Sequence, residues 1–401
     1  MRIRNLAWDA LRSGYLFGRD VTSRWIESVY GEGASSSVVL QDVIDRDAPA
    51  FGRALLVYLV APFRGQRGAE SQHQNARQNL DIARSLDAHG YVIDVANWDD
   101  LAIEPEYSYD LLIGVGIGTE RLAQSMSDDT TKVYVGTGTD PSFNNQAEWD
   151  RIRRVEERRG CRLQPRRLAK FRSASLQYFD AIAGFGNAFT EQTYRPHFQG
   201  PVYMFRNYEQ ESVPHATRRA EPARRHFLYM ASGGQVHKGL DLLLDAFAQR
   251  PDLHLHVCGA FLREGDFLRC YWRELFALDN VHPVGWVDTN SDLFERLASQ
   301  CAYVIIPSCA EGQIGSVVTC MHAGLIPVVT PACGLDVEDA GTILDDDSVD
   351  TIAATVADLA DRPSAEVNDR SRHVLQMARS EYDRATFQRR WHQIVGAIEE
   401  L

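Results

Sequence analysis

Ser232-Gly233-Gly234-Gln235-Val236-His237-Lys238-Gly239 separates two apolar runs of different period. Ahead of it stands Phe227-Leu228-Tyr229-Met230, a short continuous run that reads as a buried strand. Behind it Leu240, Leu243, Leu244 and Phe247 recur at helical spacing. The same grammar returns about 70 residues later, where Pro307-Ser308-Cys309-Ala310-Glu311-Gly312-Gln313-Ile314-Gly315-Ser316 divides the strand-like Tyr303–Ile306 from a helical face of Val317, Val318 and Met321. A strand ending in a glycine-rich turn that opens a helix presents bare backbone N–H groups and a positive dipole end to an anion. Lys238 adds a cation and Glu311 a carboxylate able to grip hydroxyls. Together the two turns suit a ligand that carries both phosphate and hydroxyl groups.

Outward from these turns, strand-like and helix-like runs alternate along most of the chain. Ala54–Val60, Tyr91–Val95, Leu111–Val115, Lys132–Val135, Ala181–Phe185 and Val202–Phe205 form a first set of strand candidates. Phe227–Met230, Leu253–Val257, Val281–Val284, Tyr303–Ile306, Ile326–Val329 and Thr342–Leu344 form a second. Such alternation predicts an α/β chain of two doubly wound, Rossmann-like parallel-sheet domains facing a central cleft, with ligand at the carboxyl ends of the strands. The expected boundaries are a helical N-terminal extension over 1–50, a first domain over 51–207, a polar linker over 208–225, a second domain over 226–375 and a C-terminal helix over 376–401. The extension reads as a cap on the core, with a peripheral membrane foot as the alternative.

Composition narrows the function classes. At 401 residues, 44% hydrophobic and 24% charged, the chain has the profile of a folded globular protein with two cores. A net charge of −13 argues against a general nucleic-acid binder. No apolar run approaches the roughly 20 residues that span a bilayer, and the N-terminus lacks a signal-peptide pattern, so a cytoplasmic location is expected. Seven cysteines without a C-x-x-C pair read as free thiols in a reducing compartment. Lys132, Lys170 and Lys238 are the three lysines among 42 basic residues, which makes a lysine inside the glycine turn stand out.

With these residues in view, the chain resembles the glycosyltransferases of the GT-B fold, and specifically glycosyltransferase family 4. The likeness runs from about Arg53 to Leu344. It rests on the turn with Lys238-Gly239, on Gly285-Trp286-Val287, and on Pro307-Ser308-x-x-Glu311-Gly312 followed by Ala323-Gly324-x-x-Pro327-Val328-Val329. A weaker likeness to bacterial cell-surface polysaccharide enzymes runs through Thr137–Asp140, Asn144-Asn145, Glu148, Arg151, Arg158–Gly160 and Gly186–Thr190. The resemblance implies transfer of a sugar from a nucleotide-sugar donor to a glycan or lipid-linked acceptor, with retention and without a bound metal or other cofactor. In that reading Lys238 and Glu311 are catalytic. Gly233, Gly234, Trp286, Val287, Gly312, Gln313, Ile314, Gly315, Ser316 and Thr319 hold the donor, and Gly68, Asn144 and Arg151 lie on the acceptor side. Asp140 is either a carboxylate that orients or deprotonates the acceptor hydroxyl or an ordinary turn starter.

Two departures from the family pattern stand out. Glu311 opens a Glu-x7-Glu motif whose second position is Thr319, and the arginine expected about five residues before Lys238 is replaced by Gly233-Gly234. The first weakens the grip on a ribose and points to a deoxyribose-based donor. The second leaves one cation on the diphosphate and shifts binding to backbone N–H groups. Both also fit the alternative of a catalytically degenerate, glycosyltransferase-like binding or scaffold protein. From Arg151 to Arg172 ten basic residues form either an anion-binding face, including a peripheral membrane contact, or a solvated helix side. Glu148, three residues after Asn145, has capping-box spacing, and Asp345–Asp347 reads as a helix cap. His254 and His256 share a strand face with no evident third metal ligand.

Overall fold

The computed structural model describes residues 38–46, 49–50, 52–64, 74–209, 221–337 and 340–401. Gly68, most of the 1–50 extension and most of the 208–225 linker lie outside the described residues.

Among the described residues twelve strands form: β1 Gly52–Tyr58, β2 Tyr91–Asn97, β3 Leu111–Gly114, β4 Thr131–Gly136, β5 Ala181–Phe185, β6 Val202–Phe205, β7 His226–Ala231, β8 His254–Gly259, β9 Val281–Gly285, β10 Tyr303–Ile306, β11 Ile326–Val329 and β12 Thr342–Ile343. They build two six-stranded sheets, ordered β2-β1-β3-β4-β5-β6 and β12-β11-β10-β7-β8-β9, with parallel pairing throughout. Continuous apolar runs become these strands because a parallel sheet is covered on both faces: Val304, Ile305 and Ile306 are fully buried, as are Leu55, Leu56 and Val57. This is the expected pair of Rossmann-like domains.

Each sheet belongs to a compact unit, and neither unit is continuous in sequence. Of the described residues, one comprises those within 143–168 and 207–383; the other holds those within 38–142, 169–206 and 384–401. Thus most of the helix Pro141–Arg159 and the loop after it belong with the second sheet rather than the first. Its Ile152 and Val155, with Leu163 of the loop, enter the core that contains Phe227, Leu243 and Ile305. The final helix, Arg384–Ile398, packs in the first-sheet unit, where Trp391 meets Phe205 at a ring separation of 4.9 Å and Arg384 bonds the buried Asp81.

Gly114, Gly116 and Gly118, which resemble part of a dinucleotide fingerprint, serve packing instead. A Cβ on Gly114 would lie 2.5 Å from the Val57 carbonyl, and one on Gly118 2.7 Å from that of Trp98. Cys161 and Cys270 form a disulfide, which corrects the expectation that all seven thiols are free. Residues 109 apart in sequence gave no spacing signal for it. No helix among the described residues is long and apolar enough to cross a membrane.

Candidate active site

In the second sheet the chain runs from β7 through β8 to β9, then returns to place β10 on the other side of β7. The β7/β10 boundary is therefore the point where strand order reverses, and a doubly wound sheet binds ligands outside the strand ends there. Both signature turns emerge at that point. Gly239 holds them together: its φ is +78°, and a Cβ would sit 2.5 Å from the Pro307 carbonyl oxygen, so a glycine is needed for the close approach. The Cys309 amide donates to the His237 carbonyl at 2.9 Å, which ties turn to turn.

Lys238 and Glu311 meet. The ammonium pairs with Glu311 Oε1, which also accepts the Ser308 hydroxyl at 2.7 Å. Burial alone would raise the Glu311 pKa, but Lys238, His237 and Arg167 overcome it and hold the carboxyl at about 2. Burial lowers the Lys238 ammonium, and Glu311 opposes that shift. His237, 1% exposed, donates from Nε2 to the Ala310 carbonyl at 2.5 Å, with Nδ1 3.8 Å from Glu148. Burial would lower its pKa, yet the Cys309 sulfur, Glu148 and Glu311 push it up to about 9. An imidazolium thus backs the Lys238–Glu311 pair.

The turn amides behave otherwise than the sequence suggested. Gly234 N–H and Gln235 N–H donate to the Glu264 carboxylate at 2.6 and 3.1 Å. These amides are already engaged by an internal anion, while Gly233 stays partly exposed. On the second turn, Gln313 is spent on structure: its Oε1 accepts the Asn207 amide at 2.5 Å and its Nε2 donates to the Gly334 carbonyl at 2.9 Å. The Ile314 amide bonds the Cys333 carbonyl at 3.2 Å. Gly315 and Ser316 open the helix Gly315–His322, where first-turn amides have no intrahelical acceptor. Gly312 is buried beside them. Trp286 is 48% exposed after β9 and Val287 is buried.

Thr319 is not alone. Its hydroxyl donates to the Glu209 carboxylate at 2.7 Å, so a carboxylate from the chain entering the second-sheet unit stands where the sequence motif lacks one. That removes the premise for preferring a deoxyribose donor.

Arg151 does not face an acceptor. It is fully buried, with Nε 2.9 Å from Asp347, one terminal nitrogen 2.6 Å from the Pro307 carbonyl and the other 3.4 Å from that of Val236. It thereby ties both signature turns to Asp347, which is an arginine acceptor; Ser348 supplies the helix cap instead. Asn144 donates to the Arg167 carbonyl at 2.8 Å. Glu148 lies inside the helix Pro141–Arg159, not in a capping box, and accepts the Arg166 and Arg167 amides at 2.6 and 2.9 Å. Asp140 lies in the other unit. Buried, it accepts the Ser142 amide and the Ser173 hydroxyl at 2.9 Å each, the geometry of a helix start.

His254 and His256 are joined by His226 and His282 from the flanking strands, in pairs with ring nitrogens 3.0 and 3.1 Å apart. Among the described residues, no group of three or more histidine, cysteine or acidic side chains is arranged to hold a metal.

Residues 224–362, which carry the β7–β12 sheet and both turns, match the family model described as glycosyl transferases group 1. Over these residues the chain is similar to that family, and its two parallel sheets have the GT-B architecture. The fold of this chain is shared with sucrose-phosphate synthase from Thermosynechococcus elongatus, at 14% identity, TM-score 0.61 and coverage of 86% of this chain and 98% of that one. Anabaena HepE in complex with UDP superposes at TM-score 0.57, with 14% identity over 87% of this chain and 100% of that one. The lipopolysaccharide outer core galactosyltransferase WaaB gives TM-score 0.57, with 12% identity over 86% and 99%. No curated protein sequence matches the chain.

Sequence reasoning missed Arg167, Glu209, Glu264 and the role of His237. Only His237 had a local signal, as the neighbour of Lys238 inside the turn.

Proposed function

We propose that this chain is a glycosyltransferase that moves a hexose, with retention of anomeric configuration, from a nucleoside-diphosphate sugar to a glycan or lipid-linked acceptor in cell-surface polysaccharide synthesis. One observation carries the reading: the Lys238 ammonium and the Glu311 carboxylate touch where two strand-turn-helix units converge at the β7/β10 switch point. A donor seated there meets opposite charges within one small volume.

Lys238 neutralises negative charge as the diphosphate departs, the main electrostatic demand of glycosyl transfer. Glu311, kept ionised by its cations, accepts hydrogen bonds from sugar hydroxyls. The helix-start amides of Gly315 and Ser316 add donors to an anionic group. Trp286 offers an exposed ring against the base, and Thr319 with Glu209 holds the ribose hydroxyls. A UDP-bound solved structure of the same fold and a lipopolysaccharide galactosyltransferase of that fold support a sugar nucleotide and a surface-glycan acceptor.

The test is a donor screen. The full chain is incubated with UDP-, GDP-, ADP- and dTDP-hexoses and lipid-diphosphate glycan acceptors, and the product anomer is read by NMR. Transfer with retention, abolished in Lys238→Met, is expected. Failure of every nucleoside diphosphate to bind would end this reading.

A further inference from the structure

We propose that Arg167 supplies the second cation of the diphosphate site, reaching over the glycine turn from the loop after the helix Pro141–Arg159. The proposal rests on the nucleotide-donor reading above.

The charge balance of the turn calls for it. Lys238 is matched by Glu311, so that pair brings no net charge to a ligand with several negative charges. His237 is buried behind the turn with its Nε2 committed to the Ala310 carbonyl. Glu264 and Glu148 add two carboxylates around the same loops. Without a further cation, a diphosphate would enter a neutral-to-negative site.

Arg167 is set apart from its neighbours. Of the ten basic residues from Arg151 to Arg172, eight have carboxylates within 4.0 Å: Asp347 for Arg151 and Arg154, Asp150 for Arg153, Asp241 and Asp245 for Arg158, Asp245 and Glu274 for Arg159, Glu156 for Arg162, Asp266 for Arg166 and Glu120 for Arg172. Among the described residues Arg167 and Lys170 have none, and Arg167 is exposed. Its backbone is nevertheless fixed on both sides, the amide by Glu148 and the carbonyl by Asn144, at 2.9 and 2.8 Å.

Its stem lies across the turn. A Cβ on Gly234 would stand 2.5 Å from Arg167 Cγ and 3.0 Å from Cδ, so the missing side chain at Gly234 is what admits the arm. The guanidinium is close enough for its charge to act on both Lys238 and Glu311. A planar five-donor cation on an immobilised backbone is suited to bidentate phosphate contact.

The experiment compares Arg167→Met and Arg167→Lys in the full chain. Both keep an unbranched stem over Gly234, and only lysine keeps the charge. Titration calorimetry with UDP, GDP, ADP, dTDP and their nucleosides is run at two salt concentrations. For the tightest diphosphate, the methionine variant should bind about tenfold or more weaker, with a shallower salt dependence. Lysine should recover part of that loss, nucleoside binding should hold, and both variants should melt with the wild type. Equal diphosphate binding by wild type and Arg167→Met overturns the proposal, as does an equal loss in both variants or an equal loss for nucleoside and diphosphate. If the wild type binds no nucleoside diphosphate, the donor reading fails with it, and that result is distinct from the others.

Discussion

His237 should make stability fall at alkaline pH, by an amount the structure lets one work out. The folded ring holds its proton up to about 9, against an ordinary value near 6.5, because the Cys309 sulfur, Glu148 and Glu311 outweigh the cost of burial. A gap of this size, at about 1.4 kcal/mol per tenfold, corresponds to about 3 kcal/mol. The sign follows from a raised folded pKa. The contribution is complete below about pH 6.5 and is lost as pH rises through about 9. The perturbation is His237→Gln, which keeps a donor for the Ala310 carbonyl and cannot titrate. Urea unfolding of both proteins at about pH 6 and about pH 10 gives the stability difference at each end. That difference should narrow by about 3 kcal/mol, and other titrating groups cancel between the two proteins. A difference that stays constant with pH refutes the argument, since the ring would then carry no extra proton in the folded chain.

Three further outcomes are expected. Lys238→Met and Glu311→Gln should each cost about 3–5 kcal/mol by stranding a buried partner, whereas the double variant should recover much of the loss; denaturant unfolding checks this, and transfer should be lost in all three. Glu209→Gln should cut the preference for UDP over its 2′-deoxy counterpart about tenfold, measured by competition binding, with Thr319 left in place. Cys161→Ser should lower stability by about 2–4 kcal/mol and abolish the effect of reductant on the melting midpoint, and peptide mapping of the wild type under non-reducing conditions should recover Cys161 joined to Cys270.

The arginine run between 151 and 172 shows why a sequence motif can be read as chemistry in one place and not in another. By periodicity it is a helix with one apolar stripe, and by charge it is an anion-binding face. In the folded chain Arg151 and Arg154 share Asp347, nearly 200 positions away, and Arg158 and Arg159 share Asp245. Nothing local marks Arg167, with Lys170, as left without a carboxylate among the described residues. Glu209 is equally silent, because the carboxylate beside Thr319 comes from a segment 110 residues earlier.

By itself the chain's order of residues determined the two parallel sheets, a strand end within one residue of the observed 231, the strand end at 306 and the meeting of Lys238 with Glu311. These depend on hydrophobic period, glycine placement and the handedness of strand crossovers, all written locally along the backbone. Tertiary structure alone decided which charges are used up and which remain for a ligand: Arg151 sealed inside, Glu264 on the turn amides, Arg167 over Gly234. A charge takes its meaning from its nearest opposite charge, and in a chain of this length that neighbour is brought in from far away by packing.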